Sequence, residues 1–401
     1  RAEEISKTPT GQAMQALQGK VAGLQIVSSG APGTGPTVRI RGVGTFPNID
    51  GEGRSNNVES PLYVVDGMFF DNIDFLNPSD IATMSVLKDA SAAAIYGVRA
   101  ANGVVIIETK SGLTNEKAQI TYDGYYGVQV AQNVLKMANA EQFATMAYES
   151  GSAPDVSYVL NAMQRYGRSR INPNVPDVNT DWYQQILRTA PMQNHSLNVM
   201  GGNENTSYSI GGGYFGQDGI LDTKNDYERF NLRTKIDFKA NDWFRIGGNV
   251  NITNAVRYDA ENAVWNQAYF AVPILPVYDE QNTAAWPVRY ASAQSVGYRS
   301  GQNPFPALQF NDNQHKIRQF LTNFYAQIDI IPDKLNFRTT YNVSTQSLNI
   351  RNVDLPYYVS DGWQRQQATI TKISETFHNQ IWDNVVTFNH DIDDHHFVVM
   401  A

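Results

Sequence analysis

Cysteine is absent from the 401 residues, which excludes disulfides, thiol nucleophiles and metal sites built on thiolates. Positive charge is also scarce, since 31 Lys and Arg stand against 39 Asp and Glu, for a net charge of −8. Because a nucleic-acid interface needs a basic face, this balance indicates no nucleic-acid partner. No run of about 18 apolar residues occurs, so no membrane-spanning helix is predicted, although a membrane β-barrel gives a far weaker signal in each strand.

Motifs of known enzyme classes are missing as well. None of the six histidines lies in a nucleophile motif or a zinc-protease motif. The glycines in 33–35 and 42–44 lack the third glycine and the helix of a dinucleotide-binding loop. The stretch 390–396, rich in His and Asp, could hold a metal, but it falls where a short solvated turn is expected. We therefore expect neither an enzyme nor a required cofactor.

Glycine and aromatic residues are plentiful, with 30 Gly, 21 Tyr and 18 Phe, which favours β-structure with tight turns. Residues 1–112 have the pattern of a small α+β domain. Residues 14–21 place apolar side chains at helical spacing, which predicts a helix. Residues 38–41 alternate apolar side chains with two arginines, as in a half-buried strand.

Turn signals dominate the second half of this domain. Asp66-Gly67 ends the strand-like run PLYVV, and Asn102-Gly103 precedes the β-branched run VVIIET. Between them lies an alanine-rich turn that Gly97 is expected to end in the left-handed conformation. The domain is therefore predicted to close on a strand that reaches about residue 109.

From residue 113 to 401 the sequence has a different periodicity. Four segments, 230–238, 244–252, 320–330 and 335–343, alternate apolar and polar residues with a period of two. On one parity these segments contain no charged residue. The opposite parity contains Arg233, Lys235, Asp237, Arg245, Asp329 and Arg338. The pattern predicts strands with one apolar and one polar face.

The connections between these segments alternate in length. KAND and PDK join neighbours tightly, whereas long loops are predicted at about 131–192, 254–318 and 345–375. Short turns at one end, long loops at the other and strands near ten residues are typical of an outer-membrane barrel.

About nine such strands are predicted. Because lipid cannot satisfy the amides of a bare sheet edge, we expect the chain to be the front part of a larger protein. A closed soluble sandwich is the alternative, and it requires a second sheet over the apolar face.

Four motifs, LQGKVAGLQIV, VRIRGVGTF, PLYVVDG and SVLKDASAAAIYGVRAANGVVIIETKSG, occur in order over 15–112. Together they resemble the plug domain of SusC-type TonB-dependent transporters. The resemblance implies an α+β plug inside a transmembrane antiparallel barrel, which has 22 strands in this transporter class. It implies a location in the Gram-negative outer membrane, in contact with lipid. It also implies import driven by TonB, with a SusD-like surface lipoprotein as a lid. The signature positions are Arg39, Arg41, Gly42, Asp66, Gly67, Lys88, Asp89, Tyr96, Gly97, Arg99, Asn102 and Gly103.

The arginines of this signature lie on strands or turns whose other faces are apolar. We expect Arg39, Arg41 and Arg99 to pair with carboxylates or with residues of the barrel wall, because buried arginines require such partners. Asp66, Asp89 and Glu108 are the candidate carboxylates.

One polar stretch resembles a calcium-binding loop. In residues 48–59, Asn48, Asp50, Glu52 and Glu59 occupy positions 1, 3, 5 and 12 of an EF-hand-like spacing. Position 1 is not Asp and no helices flank the loop, so a plain polar loop competes with a structural calcium site.

Substrate contacts are expected from plug loops that face outward and from the long barrel loops. The aromatic candidates are Phe69, Phe70, Trp265, Tyr269, Trp286 and Tyr290. Loop packing explains such rings as well. The ligand could be an oligosaccharide or an oligopeptide. A surface binding protein or adhesin that does not transport is the alternative function.

Overall fold

The computed structural model describes most of the chain. The described residues are 10–42, 48–49, 55–56, 60–89, 93–112, 114–298, 301–392 and 395–401. They form an N-terminal domain and a nine-stranded antiparallel sheet, with folded loops at one end of that sheet.

The N-terminal domain spans residues 10–112. Its strands are β1 (Leu24–Val27), β2 (Thr37–Ile40), β3 (Asn48–Ile49), β4 (Ser55–Asn56), β5 (Leu62–Val65), β6 (Met68–Phe70), β7 (Ile81–Leu87) and β8 (Val104–Thr109). A four-stranded sheet has the order β6-β5-β8-β7, and β1 pairs with β2. The described residues of this domain also form 3₁₀ helices at Gln15–Leu17, Pro78–Asp80 and Ala94–Ala100.

The helix predicted over 14–21 is wrong in extent. Only Gln15–Leu17 is helical, as a single 3₁₀ turn. Gly19 and Gly23 both have a φ of 73°, a conformation that an α-helix cannot contain. Met14 and Ala16 are nevertheless buried in the core of the domain, so the apolar pattern marks burial correctly.

The large sheet is a meander in which each strand pairs with its sequence neighbours. Its strands are β9 (Gln119–Gln129), β10 (Ala190–Gly202), β11 (Thr206–Asp218), β12 (Asp226–Asn241), β13 (Phe244–Asp259), β14 (Asn311–Ile331), β15 (Leu335–Asp354), β18 (Thr369–Ile392) and β19 (His395–Met400). The remaining pair, β16 (Tyr357–Ser360) and β17 (Trp363–Arg365), lies in the loop between β15 and β18.

The strands are longer than the sequence pattern predicts. β15 continues to Asp354 and β18 starts at Thr369, so the third loop covers 355–368 rather than 345–375. The second loop covers 260–310 rather than 254–318. The hydrogen-bonded pairing of the strands continues beyond the segments with outward apolar residues. Polar residues occur on both faces there, so the alternation of apolar and polar residues no longer marks the strand.

The predicted parity matches the two faces of the sheet. Phe230, Leu232 and Phe324 expose 54%, 49% and 55% of their surface on the face away from the N-terminal domain. Arg229 and Arg233 expose 0% and 2% on the other face. The N-terminal domain therefore lies against the polar face, and the apolar face points outward.

Two long loops, 130–189 and 260–310, fold together into what we term the loop cap. It contains α1 (Ala140–Glu149), α2 (Ala153–Tyr166), α3 (Trp182–Ile186), α4 (Ala263–Phe270), α5 (Phe305–Gln309) and a 3₁₀ helix at Ala293–Val296. Val159, Ile186 and Val264 belong to one buried core that both loops share. None of the helices in the described part of the chain is long and apolar enough to cross a membrane.

Candidate functional site

Buried polar side chains of β12 hold the N-terminal domain against the sheet. Arg229 donates from Nη1 to the carbonyl of Asp74 (2.5 Å) and from Nη2 to the carbonyl of Gly11 (3.2 Å). Two residues along, Asn231 donates from Nδ2 to the carbonyl of Phe75 (2.6 Å). The accepting carbonyl groups take no part in strand pairing, so these side chains satisfy them. The contact between the N-terminal domain and β12 therefore consists of hydrogen bonds from side chains to the main chain.

Arg233, the next inward residue of β12, adds an ion pair. Its Nε lies 3.5 Å from Asp80 Oδ1, and both side chains are buried. Nη1 donates to the carbonyl of Lys110, and Nη2 donates to Ser209 Oγ at 3.3 Å. Burial raises the pKa of the Asp80 carboxyl, and the Arg233 guanidinium opposes that rise. We term Arg229, Asn231 and Arg233 the β12 anchor.

Two of the cavities lie at the end of the sheet that carries the long loops. The first, of about 480 Å³, is lined by residues of the sheet and of its loops. The second, of about 440 Å³, is also lined by the N-terminal domain. The N-terminal domain lines this second cavity with residues of the loop 29–34, and the sheet lines it with Arg257 and Asp259. Glu261 and Trp265 of the loop cap complete it. We term it the vestibule cavity.

Charges around the vestibule cavity compensate one another. Arg257 Nε lies 3.0 Å from Asp259 Oδ1, and Glu261 Oε1 lies 3.0 Å from Arg365 Nη2. Arg257 also reaches across to the N-terminal domain, where its Nη1 donates to Thr34 Oγ1 at 3.4 Å. The cavity therefore presents hydroxyl, amide and indole groups beside ion pairs that are already formed.

The comparisons with known proteins agree with this architecture. Residues 1–104 match the TonB-dependent Receptor Plug Domain family. TonB-dependent receptor P3 of Formosa agariphila is 31% identical over 413 residues, which cover 100% of this chain and 37% of that protein. TonB-dependent receptor SusC of Bacteroides thetaiotaomicron is 30% identical over 353 residues, 80% of this chain and 32% of that protein.

The chain belongs to the SusC-type TonB-dependent receptors. It spans about a third of the length of these curated relatives. The structure of the RagAB peptide importer in its open-open state matches with a TM-score of 0.74 at 25% identity, covering 98% of this chain and 45% of that one. The N-terminal domain is thus the plug, and the large sheet is part of the wall of an outer-membrane barrel. The long loops mark the extracellular end of such a barrel and the short turns its periplasmic end.

The plug signature has several structural roles. Asp66 accepts hydrogen bonds from Thr109 N (3.0 Å) and Thr109 Oγ1 (2.6 Å), and from Asn249 Nδ2 of the wall (3.2 Å). Asp66 and Gly67 both have positive φ, as the predicted turn requires. Asp66 therefore ties β5 to β8 and to the wall.

The signature arginines differ in environment. Arg41 pairs with Asp89 at 2.6 Å, as expected, but both side chains are exposed. Arg39 is half-buried on β2. Arg99 is exposed, and its expected pairing with a carboxylate or with the barrel wall stays a prediction. An exposed pair such as Arg41–Asp89 stabilises by about 0–1 kcal/mol.

The remaining signature residues shape turns. Gly42, Gly97 and Gly103 all have positive φ. A Cβ at Gly103 would lie 2.7 Å from Ile40 Cδ1 and 3.1 Å from the Leu87 carbonyl oxygen, and φ is 89°, so a side chain at this position is strained. Asn102 is half-buried in the preceding position, and Lys88 donates to the carbonyl of Ala22.

The predicted aromatic contacts divide into exposed and packed rings. Trp265, Tyr269 and Trp286 expose 38%, 46% and 47% of their surface on the loop cap. Tyr290 is 1% exposed and stacks on Tyr278 at 5.6 Å, which makes it a packing residue of the loops. The two plug rings pack locally, Phe69 on Tyr96 and Phe70 on Phe75.

The predicted calcium loop cannot be compared with coordinates, because Asp50, Glu52 and Glu59 lie outside the described residues. Only the backbone pairing of Asn48–Ile49 with Ser55–Asn56 is described there. Calcium binding stays a prediction.

Sequence reasoning missed the residues that fix the plug to the wall, namely Arg229, Asn231 and Asp80. Arg229 and Asn231 could have been found from the two-residue period of β12, because they lie on the same inward face as Arg233. Asp80 carries no sequence signal beyond its place after the turn at Asn77.

Proposed function

We propose that the full-length protein imports an oligosaccharide across the outer membrane, driven by TonB. The observation that carries the ligand class is the vestibule cavity. Its charges are compensated by Arg257–Asp259 and Arg365–Glu261, and Trp265 offers an indole ring at its edge. Neutral polar lining with an aromatic ring suits a sugar, whose hydroxyls need hydrogen-bonding groups and whose ring faces are apolar.

A peptide is the second candidate, and the RagAB peptide importer supports it as a structural relative. A peptide carries charged termini and side chains, which require unpaired charges or free backbone edges in the site. The ion pairs of the vestibule cavity do not offer such charges, so we favour the oligosaccharide.

The loop cap supports a SusD-like lipoprotein as the lid over the barrel mouth. Its two loops share a buried core, and Trp182 Nε1 donates to the carbonyl of Val272 at 2.9 Å between them. Arg165 and Asp279 add an ion pair of 2.7 Å between the same loops. A cap that is already folded offers a lid a fixed docking surface, so little conformational entropy is lost on association.

Growth of a deletion strain on a panel of glycans and peptides tests the proposal. We expect the deletion strain to lose growth on a glycan. The wild-type protein should restore that growth in a strain with TonB, but not in a strain without TonB. Loss on peptides alone would replace the oligosaccharide by a peptide. Binding of the glycan without any dependence of uptake on TonB would favour the adhesin.

A further inference from the structure

The outward face of the wall changes from apolar to polar along each strand. On β14, Phe320 and Phe324 are exposed apolar residues of the segment that meets lipid. The next outward positions toward the long loops are Arg318 and Lys316, because successive side chains of a strand alternate between its two faces. The apolar segment of β14 therefore ends at Phe320, and the two cations lie at the level of the lipid headgroups on the extracellular side.

The neighbouring strands change at the same row. Strand pairing places Arg318 beside Asn254 of β13 and Ser347 of β15. Ser347 in turn pairs with Thr376 of β18. Polar residues thus begin in one row across four strands, which marks the extracellular border of the lipid-facing surface.

Positive charge collects beyond this border. The described outward positions above Phe320 on β13, β14, β15 and β18 include four cations and one carboxylate. The cations are Lys316, Arg318, Arg351 and Lys372, and the carboxylate is Asp312. Four cations against one carboxylate leave a net charge of +3, in a chain whose net charge is −8. We term the four cations the outward basic patch.

The carboxylate neutralises one side of the patch. Asp312 pairs with Arg351, and it also accepts a hydrogen bond from Lys224 Nζ at 3.3 Å. Lys316, Arg318 and Lys372 are exposed on the outward face. These three side chains are therefore the ones that present their charge to the surroundings of the barrel.

Small polar side chains between the cations hold one another in place. Asn349, the cross-strand partner of Lys316, donates from Nδ2 to Ser347 Oγ at 3.1 Å. Ser374 Oγ donates to Asn349 Oδ1 at 2.9 Å. An ordered floor of short side chains leaves room between the longer Lys and Arg side chains for phosphate oxygens, which accept strong hydrogen bonds from ammonium and guanidinium groups.

The adjacent part of the barrel rim has the opposite charge. On β11 and β12, the outward positions beyond Tyr214 and Phe230 include Asp218, Asp226 and Glu228. The positive charge is therefore confined to β14, β15 and β18, and it is not a general property of the rim.

We propose that the outward basic patch binds the phosphorylated headgroup of an outer-leaflet lipid. A side chain on the outward face at this height meets lipid headgroups, and a phosphate supplies the negative charge that complements the patch. Phe320 and Phe324 continue directly from the patch toward the membrane centre, so the acyl chains of the same lipid lie against them. The proposal rests on the position of the wall in the outer membrane and is independent of the imported ligand.

Native mass spectrometry of the full-length protein in detergent tests the proposal, because it measures the bound fraction at each lipid concentration. The probes are bisphosphorylated lipid A, the same lipid without its two phosphates, and inorganic phosphate. Lys316→Gln, Arg318→Gln and Lys372→Gln are compared singly and together. The matched control combines Asp226→Asn with Glu228→Gln, which removes two charges from the same face of the wall. Heat-modifiable mobility on gels shows that each variant has assembled, and the single variants decide the test if the triple variant does not assemble.

We expect the wild type to prefer the phosphorylated lipid, and its affinity to fall about fivefold for each cation removed. The control variant should bind at least as tightly as the wild type. Equal binding of lipid A by the wild type and the cation variants would overturn the proposal. Equal binding of the phosphorylated and dephosphorylated lipids would also overturn it, because the apolar face alone would then explain the affinity.

Two further outcomes would replace the lipid by another occupant. If inorganic phosphate binds the wild type as tightly as lipid A does, the patch is a site for a free anion and the proposal fails. If the cation variants keep their lipid affinity but lose a surface lipoprotein that co-purifies with the wild type, the patch is a protein interface and the proposal fails as well.

Discussion

Replacement of Arg233 by Met tests whether the β12 anchor holds the plug. The guanidinium is 2% exposed and contacts Asp80, the Lys110 carbonyl and Ser209. Methionine fills much of the volume but leaves the Asp80 carboxyl buried without its counter-charge. Loss of one partner of a buried ion pair costs about 3–5 kcal/mol. We therefore expect Arg233→Met to lower the unfolding temperature of the purified full-length protein.

The penalty should depend on pH. Burial already raises the pKa of Asp80 above its value in the unfolded chain, and removal of Arg233 removes a group that opposes the rise. A carboxyl whose folded-state pKa is raised stabilises the folded state below its unfolded pKa, and that stability is lost as pH rises through the folded pKa. Arg233→Met should thus be closest to the wild type in acid and fall further below it as the pH increases.

The matched control is Arg245→Met on β13. Arg245 lies 3.5 Å from Asp329, the same distance as Arg233 from Asp80, but its side chain is 49% exposed. An exposed pair contributes about 0–1 kcal/mol, so this variant should differ little from the wild type. Thermal unfolding monitored by intrinsic fluorescence at several pH values compares the two. Equal destabilisation by both substitutions would refute the assignment of Arg233 as an anchor.

Three further outcomes follow from the geometry. Phe324→Arg places a charge on the outward face and should destabilise the assembled barrel by about 2–4 kcal/mol. The loss of assembly should appear as lost heat-modifiable mobility on gels. Asn323→Arg, on the inward face, should assemble normally. Trp265→Ala should weaken glycan binding by about 0.5–1.5 kcal/mol, measured by calorimetry. Trp286→Ala, outside the vestibule cavity, should leave the affinity unchanged. A larger loss of affinity in Trp286→Ala than in Trp265→Ala would contradict the site. Gly103→Ala should destabilise the plug by about 1–3 kcal/mol, measured by protease resistance, because φ is 89° and Ile40 lies in the way.

The two faces of the wall could be predicted because lipid requires apolar side chains on the outward face. Residues such as Phe230 and Phe324 point outward, and the parity of their segments identifies that face without any tertiary information. The ends of the strands could not be predicted in the same way. From residue 344 onward β15 carries polar residues on both faces and no longer alternates regularly, so only the backbone ladder shows that it continues to Asp354.

The candidate site was less accessible to sequence reasoning. Asp66 and Asn249 lie 183 positions apart, and nothing local marks them as partners. Tyr290 and Trp265 have the same kind of loop context in sequence, yet one is a core ring and the other lines a cavity. Loop aromatics become packing or contact residues only when the loops fold against each other.

The sequence alone determined the family through the four plug motifs, the two faces of the wall through its two-residue period, and the turns through Asp66-Gly67 and Asn102-Gly103. These features depend on local backbone conformation and on the solvent that each face meets. Only the tertiary structure decided that wall residues of β12 carry buried contacts to the plug. A buried donor is satisfied by whichever carbonyl or carboxylate the packed chain brings to it, and that partner is set in three dimensions.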